Sequence, residues 1–155
     1  MKIRKLSLVI LAMAFAALLA CAASENIFDE KADAHQQIAA ALATASKSGK
    51  NIILDFGANW CGDCHALEAQ MHKPDLAAII AKNFIVVSVD VGQMDKNVDL
   101  AEKYHVPLKK GIPALAVLDP RGVLLFAQDE GQFEDARHMT YESIKAFFEQ
   151  WKPKR

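Results

Sequence analysis

The sequence predicts an α/β fold in which helices flank a central mixed sheet of four strands. Residues 52–56 and 84–89 form short apolar runs rich in β-branched side chains, which are typical of buried strands. About 27 residues with helical periodicity separate the two runs, so we expect a parallel pair joined by a crossover. Residues 114–118 and 123–127 form a second pair of strands around the turn 119–122, whose Asp-Pro-Arg-Gly sequence favours an antiparallel hairpin.

Length and composition are those of one compact domain. Of the 155 residues, 52% are hydrophobic and 24% are charged, which excludes a disordered chain, a repeat array and a multi-domain enzyme. Three cysteines are too few for a small protein held together by disulfides. The formal net charge of -1 provides no basic field, so we expect no binding to nucleic acid.

The first helices are predicted from apolar spacing and from residues that favour helix ends. Asp29 is a candidate N-cap for a helix that runs to about residue 47, and Gly49 stands where a C-terminal cap is expected. The first strand follows this helix. The next helix begins near Cys61, and Pro74 is expected to kink or restart it before the second strand.

Two more helices complete the pattern. One covers 98–104 and precedes the hairpin. After an acidic loop, 129–135, an amphipathic helix covers 140–151, although Thr140 lacks the acidic partner of a capping box. The element order is therefore α-βαβ-α-ββ-α, and no linker is long enough to divide the domain.

The beginning of the chain has the layout of a secretory signal. Lys2, Arg4 and Lys5 precede an uncharged apolar run. The uncharged stretch 6–24 is 19 residues long, which is short for a membrane-spanning helix because such a helix needs about 20 apolar residues. Three of the 18 Lys and Arg residues lie in 1–20 and none of the 19 acids does, so the mature chain carries a net charge near -4.

The end of this segment, Leu-Leu-Ala-Cys at 18–21, resembles a bacterial lipobox. The resemblance implies that Cys21 becomes the lipidated first residue of the mature protein. The predicted organisation is then a signal peptide at 1–20, a short tether at 21–28 and one domain at 29–155. Ordinary signal peptidase cleavage after Ala22 or Ala23 and an uncleaved anchor remain as alternatives.

The chemistry is concentrated where the first strand meets the following helix, in Trp60-Cys61-Gly62-Asp63-Cys64. Two cysteines three positions apart can close to a disulfide or open to a dithiol with little backbone motion. Cys61 lies at the predicted helix N-terminus, where unpaired amide groups and the helix dipole favour a thiolate. We therefore expect Cys61 to be the attacking sulfur and Cys64 to be the resolving sulfur.

Trp-Cys-Gly-x-Cys after a strand resembles the thioredoxin family, and the similarity extends over about 52–151. The chain is most similar to periplasmic thioredoxin-like proteins, including the C-terminal domain of the transmembrane thiol-disulfide interchange reductase. The resemblance implies a thioredoxin fold whose first strand is replaced by a helix. It also implies a monomeric oxidoreductase that acts on protein disulfides without a bound cofactor, with a membrane thiol-disulfide interchange protein as its electron donor.

Two further positions match the family, and Trp60 of the motif itself has an expected role. Asp55 corresponds to a buried acid beneath the dithiol, and burial should raise its pKa so that it can shuttle the proton of Cys64. A solvated or capping aspartate is the alternative. Ile112-Pro113 corresponds to the cis-proline that presents a backbone edge to an extended substrate. Trp60 is expected to shield the edge of the site and to contact substrate, with a packing role as the alternative.

Departures from the family pattern concern charge. Asp63 replaces the family's proline, and its carboxylate should repel a thiolate on Cys61 and raise the pKa of that thiol. Lys109 and Lys110 lie in a longer loop, where they either offset this charge, contact an acidic partner or form a solvated edge. Because the motif contains no histidine between its cysteines and Asp55 can assist target reduction, we expect a reductant.

Two other kinds of protein fit the same residues. Cys61 to His65 is also a CxxCH motif for covalent haem attachment, with a second axial ligand needed elsewhere. The predicted strands are unexpected for a small helical cytochrome. Cys61, Cys64 and His65 could alternatively bind copper or zinc, although a second cysteine pair is absent and the other histidines are scattered.

Overall fold

The computed structural model describes residues 26–154, so Cys21, the signal peptide and most of the tether lie outside the described residues. The helices and strands are α1 (Ala34–Ser48), β1 (Asn51–Gly57), α2 (Gly62–Met71), α3 (Pro74–Asn83), β2 (Phe84–Asp90), α4 (Val98–Lys103), β3 (Ala114–Leu118), β4 (Leu124–Ala127) and α5 (Tyr141–Gln150). A single 3-10 turn covers Leu108–Lys110. This order confirms the predicted α/β class.

The four strands form one mixed sheet in the order β2-β1-β3-β4. β1 pairs in parallel with β2, and β3 pairs antiparallel with both β1 and β4, as the crossover and the hairpin predicted. All seven residues of β1 are buried. β1 is therefore a buried inner strand, and it supports the residues that follow its carboxyl end.

A hydrophobic layer covers each face of the sheet. On one face α1 and α4 pack against alternate β1 residues such as Leu54 and Phe56. On the other face α2, α3 and α5 pack around Ile53, with Phe148 of α5 fully buried there. Because strand side chains alternate, Asp55 points to the same face as Ile53 and towards α2.

Helix α1 begins later in the chain than predicted. The prediction that Asp29 caps this helix is wrong, because α1 begins at Ala34 and the Asp33 side chain accepts the Gln36 amide at 3.1 Å. Asp29 instead accepts the Lys31 amide at 2.9 Å in a preceding turn. At the other end Gly49 adopts a left-handed φ of 69° and closes the helix as predicted.

The remaining helix ends follow the sequence signals. Pro74 occupies the first position of α3, so the chain restarts as a separate helix after α2. Thr140 caps α5 by accepting the Ser143 amide at 3.2 Å. Within residues 26–154, no helix has the length and apolar character needed to cross a membrane.

Candidate active site

The two motif cysteines form a disulfide at the start of α2. Cys61 is the N-cap residue, its Cα lies 5.2 Å from the Cα of Cys64, and its sulfur accepts the Cys64 amide at 3.0 Å. Both residues are buried. The sulfur that was expected to attack therefore lies where amide groups and the helix dipole stabilise negative charge.

The loop before β3 faces this disulfide. The Ile112–Pro113 peptide bond is cis, as the family resemblance implies, and the Ile112 carbonyl oxygen lies 3.5 Å from Cys61 Sγ. Gln128 is fully buried behind the loop, where its Nε2 donates to the Pro113 carbonyl at 3.2 Å. Its Oε1 accepts the Leu115 amide at 3.3 Å. The two hydrogen bonds of Gln128 thus hold the backbone on both sides of Ala114, the first residue of β3.

Asp55 lies in β1 on the side that faces α2. The residue is 6% exposed, and its Oδ1 has no hydrogen-bond partner among the described residues. Burial, and to a lesser degree the negative charge of Glu68, raise the pKa of Asp55 to about 7. A Cβ placed on Gly57, two residues along the same face, would lie 3.0 Å from Cys64 Sγ. The structure therefore places a buried carboxyl with a raised pKa on the β1 face that leads towards Cys64, and its role as a proton shuttle stays a prediction.

A segment before α1 closes this side of the site. Asn59 accepts the Phe28 amide and donates to the Phe28 carbonyl, both at 2.9 Å, and it also donates to Glu30 at 3.0 Å. These bonds hold the Phe28 ring in the core so close to Gly57 that a Cβ there would overlap it. Phe28 belongs to this core, although the sequence boundary assigned it to the tether. It shields the buried side of Cys64 from water.

Trp60 stands at the exposed edge of the motif. Its side chain is 53% exposed, and its indole Nε1 donates to the Gly92 carbonyl at 2.7 Å. The hydrogen bond fixes the ring beside the disulfide while leaving one face open. His65 points back into the fold, with its Nε2 2.8 Å from the Asn59 carbonyl oxygen.

The aspartate between the cysteines has a partner that the sequence did not reveal. Arg137 donates to Asp63 Oδ1 from its backbone amide at 3.0 Å and from Nε at 3.1 Å, and its Nη2 lies 3.0 Å from Oδ2. Burial raises the pKa of Asp63, but the hydrogen bonds and the charge of Arg137 outweigh it and hold that pKa below its usual value. Asp63 is therefore not the unpaired charge that the sequence analysis assumed.

The other polar candidates lie apart from this pair. Lys109 and Lys110 are exposed on the 3-10 turn, and Lys110 Nζ lies 3.6 Å from Glu130. In the described part of the chain, no three histidine, cysteine, aspartate or glutamate side chains converge as a metal site would require. The disulfide also occupies both sulfurs that haem attachment would use.

The chain is similar in sequence to a known family and to two thiol:disulfide interchange proteins. A family model described as Thioredoxin-like matches residues 33–120. The thiol:disulfide interchange protein DsbD 2 of Pseudomonas aeruginosa is 31% identical over 117 residues, which are 74% of this chain and 18% of that protein. The thiol:disulfide interchange protein TxlA homolog of Synechocystis is 30% identical over 126 residues, or 80% and 66% of the two chains. The chain thus spans less than two thirds of either relative.

Solved structures share the fold. A disulphide isomerase from Xylella fastidiosa Temecula1 superposes with a TM-score of 0.79 and 39% identity, covering 83% of this chain and 98% of that chain. The oxidised C-terminal domain of DsbD from Neisseria meningitidis gives a TM-score of 0.54 at 20% identity over 78% and 97% of the two chains. The second likeness concerns the arrangement of helices and strands alone.

Proposed function

The chain belongs to the thioredoxin-like family and is a thiol-disulfide oxidoreductase, and from this premise we propose that it reduces protein disulfides in the periplasm. One observation carries the proposal. Cys61 Sγ of the disulfide lies 3.5 Å from the Ile112 carbonyl oxygen, and the buried Asp55 on β1 has an Oδ1 with no hydrogen-bond partner among residues 26–154. That arrangement supplies a nucleophile, a proton acceptor and a place for an extended substrate.

The first step joins the protein to its substrate. The Cys61 thiolate attacks one sulfur of a substrate disulfide, forms a mixed disulfide and releases the other substrate sulfur as a thiolate that takes a proton from water. The amide of Cys64, which points at Cys61 Sγ from 3.0 Å, stabilises the attacking anion. The N-terminal dipole of α2 adds to this stabilisation.

The second step releases the substrate. Cys64 loses its proton to the Asp55 carboxylate, attacks Cys61 Sγ and closes the intramolecular disulfide. The second substrate sulfur leaves as a thiolate that takes a proton from water, and two electrons have then passed from the protein to the substrate. With a pKa of about 7, Asp55 is ionised in roughly half of the molecules near neutral pH, which suits it to accept this proton.

Substrate recognition is proposed to use the backbone beside the cis-proline. An extended substrate segment would pair with the main chain at Ile112, whose carbonyl oxygen already faces Cys61. Gln128 holds this edge in place from behind, and Trp60, the residue before Cys61, offers an exposed ring at the motif. Main-chain pairing accepts many sequences, which suits a reductase with several substrates.

The proposed electron flow starts at a membrane protein. Each turnover leaves Cys61 and Cys64 oxidised, so a partner dithiol must reduce them again. Similarity to two thiol:disulfide interchange proteins supports a donor of that class, and no bound cofactor is required. The predicted signal at 1–20 and lipidation of Cys21 would hold a monomer at the membrane surface near such a donor. A Cys21→Ala protein that still incorporates a labelled fatty acid would contradict the lipid anchor.

Trapping tests the reductase assignment. A Cys64→Ala variant can form the mixed disulfide but cannot resolve it, so it should accumulate reducible covalent complexes in the periplasm. A Cys61→Ser variant, which keeps Cys64, is the matched control and should trap nothing. If the Cys64→Ala protein forms no complexes while Cys61 still reacts with iodoacetamide, the assignment fails.

Isomerisation is a second candidate, favoured by the similarity to a disulphide isomerase from Xylella fastidiosa Temecula1. An isomerase must let the substrate rearrange before Cys64 releases it, whereas a reductase resolves at once. A substrate with two scrambled disulfides distinguishes them. We expect the reduced wild-type protein to produce free substrate thiols, and correctly paired disulfides without net reduction would support isomerisation instead.

A further inference from the structure

The salt bridge between Arg137 and Asp63 connects the redox motif to a distant part of the chain. The backbone amide and two guanidinium nitrogens of Arg137 all contact the Asp63 carboxylate within 3.1 Å. The guanidinium also lies over Gly62, because a Cβ there would be 3.5 Å from Nη1. Arg137 therefore touches both residues that separate Cys61 from Cys64.

Residues 129–139, which we term the clasp segment, are fixed independently of this contact. Phe133 and Ala136 are buried in the layer formed by α2, α3 and α5, and the Phe133 ring packs edge-on against Phe147 at 4.9 Å. A Cβ on Gly111 would lie 2.8 Å from Glu134 Cβ, so the clasp segment also touches the residue before the Ile112–Pro113 edge. The guanidinium is thus presented to the motif by a segment that is anchored in the core through Phe133 and Ala136.

The charge of Asp63 makes this contact relevant to the chemistry. Asp63 is two residues from the attacking sulfur and 13% exposed, so its carboxylate is poorly screened by water, whereas Arg137 is 61% exposed. An unpaired carboxylate there would oppose a thiolate on Cys61. The other titratable groups around the motif are Asp55, His65 and Glu68 on the sheet and α2, and Asp135 and His138 on the clasp segment.

We propose that Arg137 is a positioning residue of the redox site, which neutralises Asp63 and so keeps Cys61 reactive as a thiolate and the dithiol state accessible. The inference rests on the proposed role of Cys61 as the attacking sulfur. Without Arg137 the motif carries a net negative charge, which destabilises the Cys61 thiolate and disfavours the reduced protein. Without Asp63 it carries a net positive charge, which has the opposite effect.

The test is the pH dependence of Cys61 alkylation by iodoacetamide in the reduced full domain. We expect Arg137→Gln to shift the profile to higher pH and Asp63→Asn to shift it to lower pH, each by about half a pKa unit, or about threefold in thiolate fraction below the pKa. The double variant should return close to the wild type because both charges are gone. In glutathione equilibrium, Arg137→Gln should become harder to reduce by up to about threefold, or about 14 mV at 29.6 mV per tenfold change.

Arg121→Gln is the matched control. Arg121 binds Asp119 through its backbone amide, Nε and Nη2 in the same pattern as Arg137, but in the turn at the far end of β3. The Arg121→Gln variant should leave the pH profile of Cys61 alkylation unchanged. Shifts of the same sign in both single variants, or no shift in either, would overturn the inference and indicate a purely structural salt bridge. Alkylation of Cys64 in place of Cys61 would instead overturn the proposed function.

Discussion

Two aspartates on opposite sides of one disulfide have opposite surroundings. Asp55, in β1, is buried with an oxygen that lacks a hydrogen-bond partner among residues 26–154, and its pKa is raised to about 7. Asp63, between the cysteines, is bound by Arg137 and its pKa is lowered. The same side chain thus has a pKa of about 7 in one place and a pKa below its usual value in the other. The difference comes from solvation and partners, not from residue type.

The largest effect that tests this comparison is on catalysis by Asp55. An Asp55→Asn variant keeps the size of the side chain but cannot accept the proton of Cys64, so resolution of the mixed disulfide at pH 7 should slow by about a hundredfold. Stopped-flow measurement of substrate release checks this. The rate of Cys61 alkylation above its pKa is the control and should be unchanged. An equal release rate at pH 7 would remove Asp55 from the mechanism.

The same variant should gain stability at high pH. Folded Asp55 holds a proton up to about pH 7, whereas an unfolded aspartate releases it near its usual pKa of 3.8, so the free energy of unfolding falls as pH rises between these values. Asp55→Asn has no carboxyl to ionise, so its free energy of unfolding does not fall in this way. It should be more stable than the wild type above pH 8, by at most about 4 kcal/mol. Urea unfolding of the oxidised proteins should show no such advantage at pH 3. A variant that is less stable than the wild type at pH 8 would contradict the burial argument.

Phe28 tests whether the shielded side of the site depends on burial. Phe28→Ala removes the ring that packs over Gly57 beside Cys64, and we expect it to cost about 3 kcal/mol of unfolding free energy. Water admitted there should lower the pKa of Asp55 and expose Cys64 to alkylation in the reduced protein. NMR titration of the carboxyl and mass spectrometry of labelled cysteines measure both effects. Leu125→Ala, at a half-exposed position of β4, is the control and should change neither.

The smallest effect concerns Asp63. The pH dependence of its contribution to stability is opposite to that of Asp55. Because the folded pKa of Asp63 is depressed, its salt bridge stabilises the protein above the ordinary pKa and is lost as pH falls through the folded pKa. Asp63→Asn should therefore be slightly less stable than the wild type at pH 8, and the difference should disappear as the pH falls below the folded pKa of Asp63. Asp119→Asn, which breaks the matched pair with Arg121, should behave in the same way. A stabilising Asp63→Asn at pH 8 would erase the contrast with Asp55.

Local signals predicted most of the fold. The apolar runs predicted β1 and β2, the Asp-Pro-Arg-Gly turn predicted the hairpin, and Pro74 predicted the restart of a helix, because each depends on residues adjacent in sequence. Asp29 was misassigned as a cap because both Asp29 and Asp33 precede the helix. Each accepts an amide two or three residues ahead, Asp29 from Lys31 and Asp33 from Gln36, so the residue type alone does not show which of them begins the helix.

Only the parts of the candidate site that lie in one short motif, or that match the family pattern, could be predicted from the sequence. The cysteine pair lies in one motif, and resemblance identified Asp55 and Pro113. Arg137 lies 74 residues from Asp63, and nothing in its neighbourhood marks it as a partner. Gln128 has a polar side chain in a loop and gave no sign that it is fully buried. Such contacts depend on the packing of distant segments, which single-sequence patterns do not contain.

The reduction potential of the Cys61–Cys64 couple tests the central claim most directly. The oxidised domain would be equilibrated with graded ratios of reduced and oxidised dithiothreitol or glutathione, and the dithiol fraction measured by alkylation and mass spectrometry. A reductant with the proton acceptor Asp55 beneath its disulfide should have a potential near that of thioredoxin, about -270 mV. A value near the strongly oxidising end of the scale, about -120 mV, would show that the protein introduces disulfides and would contradict the account.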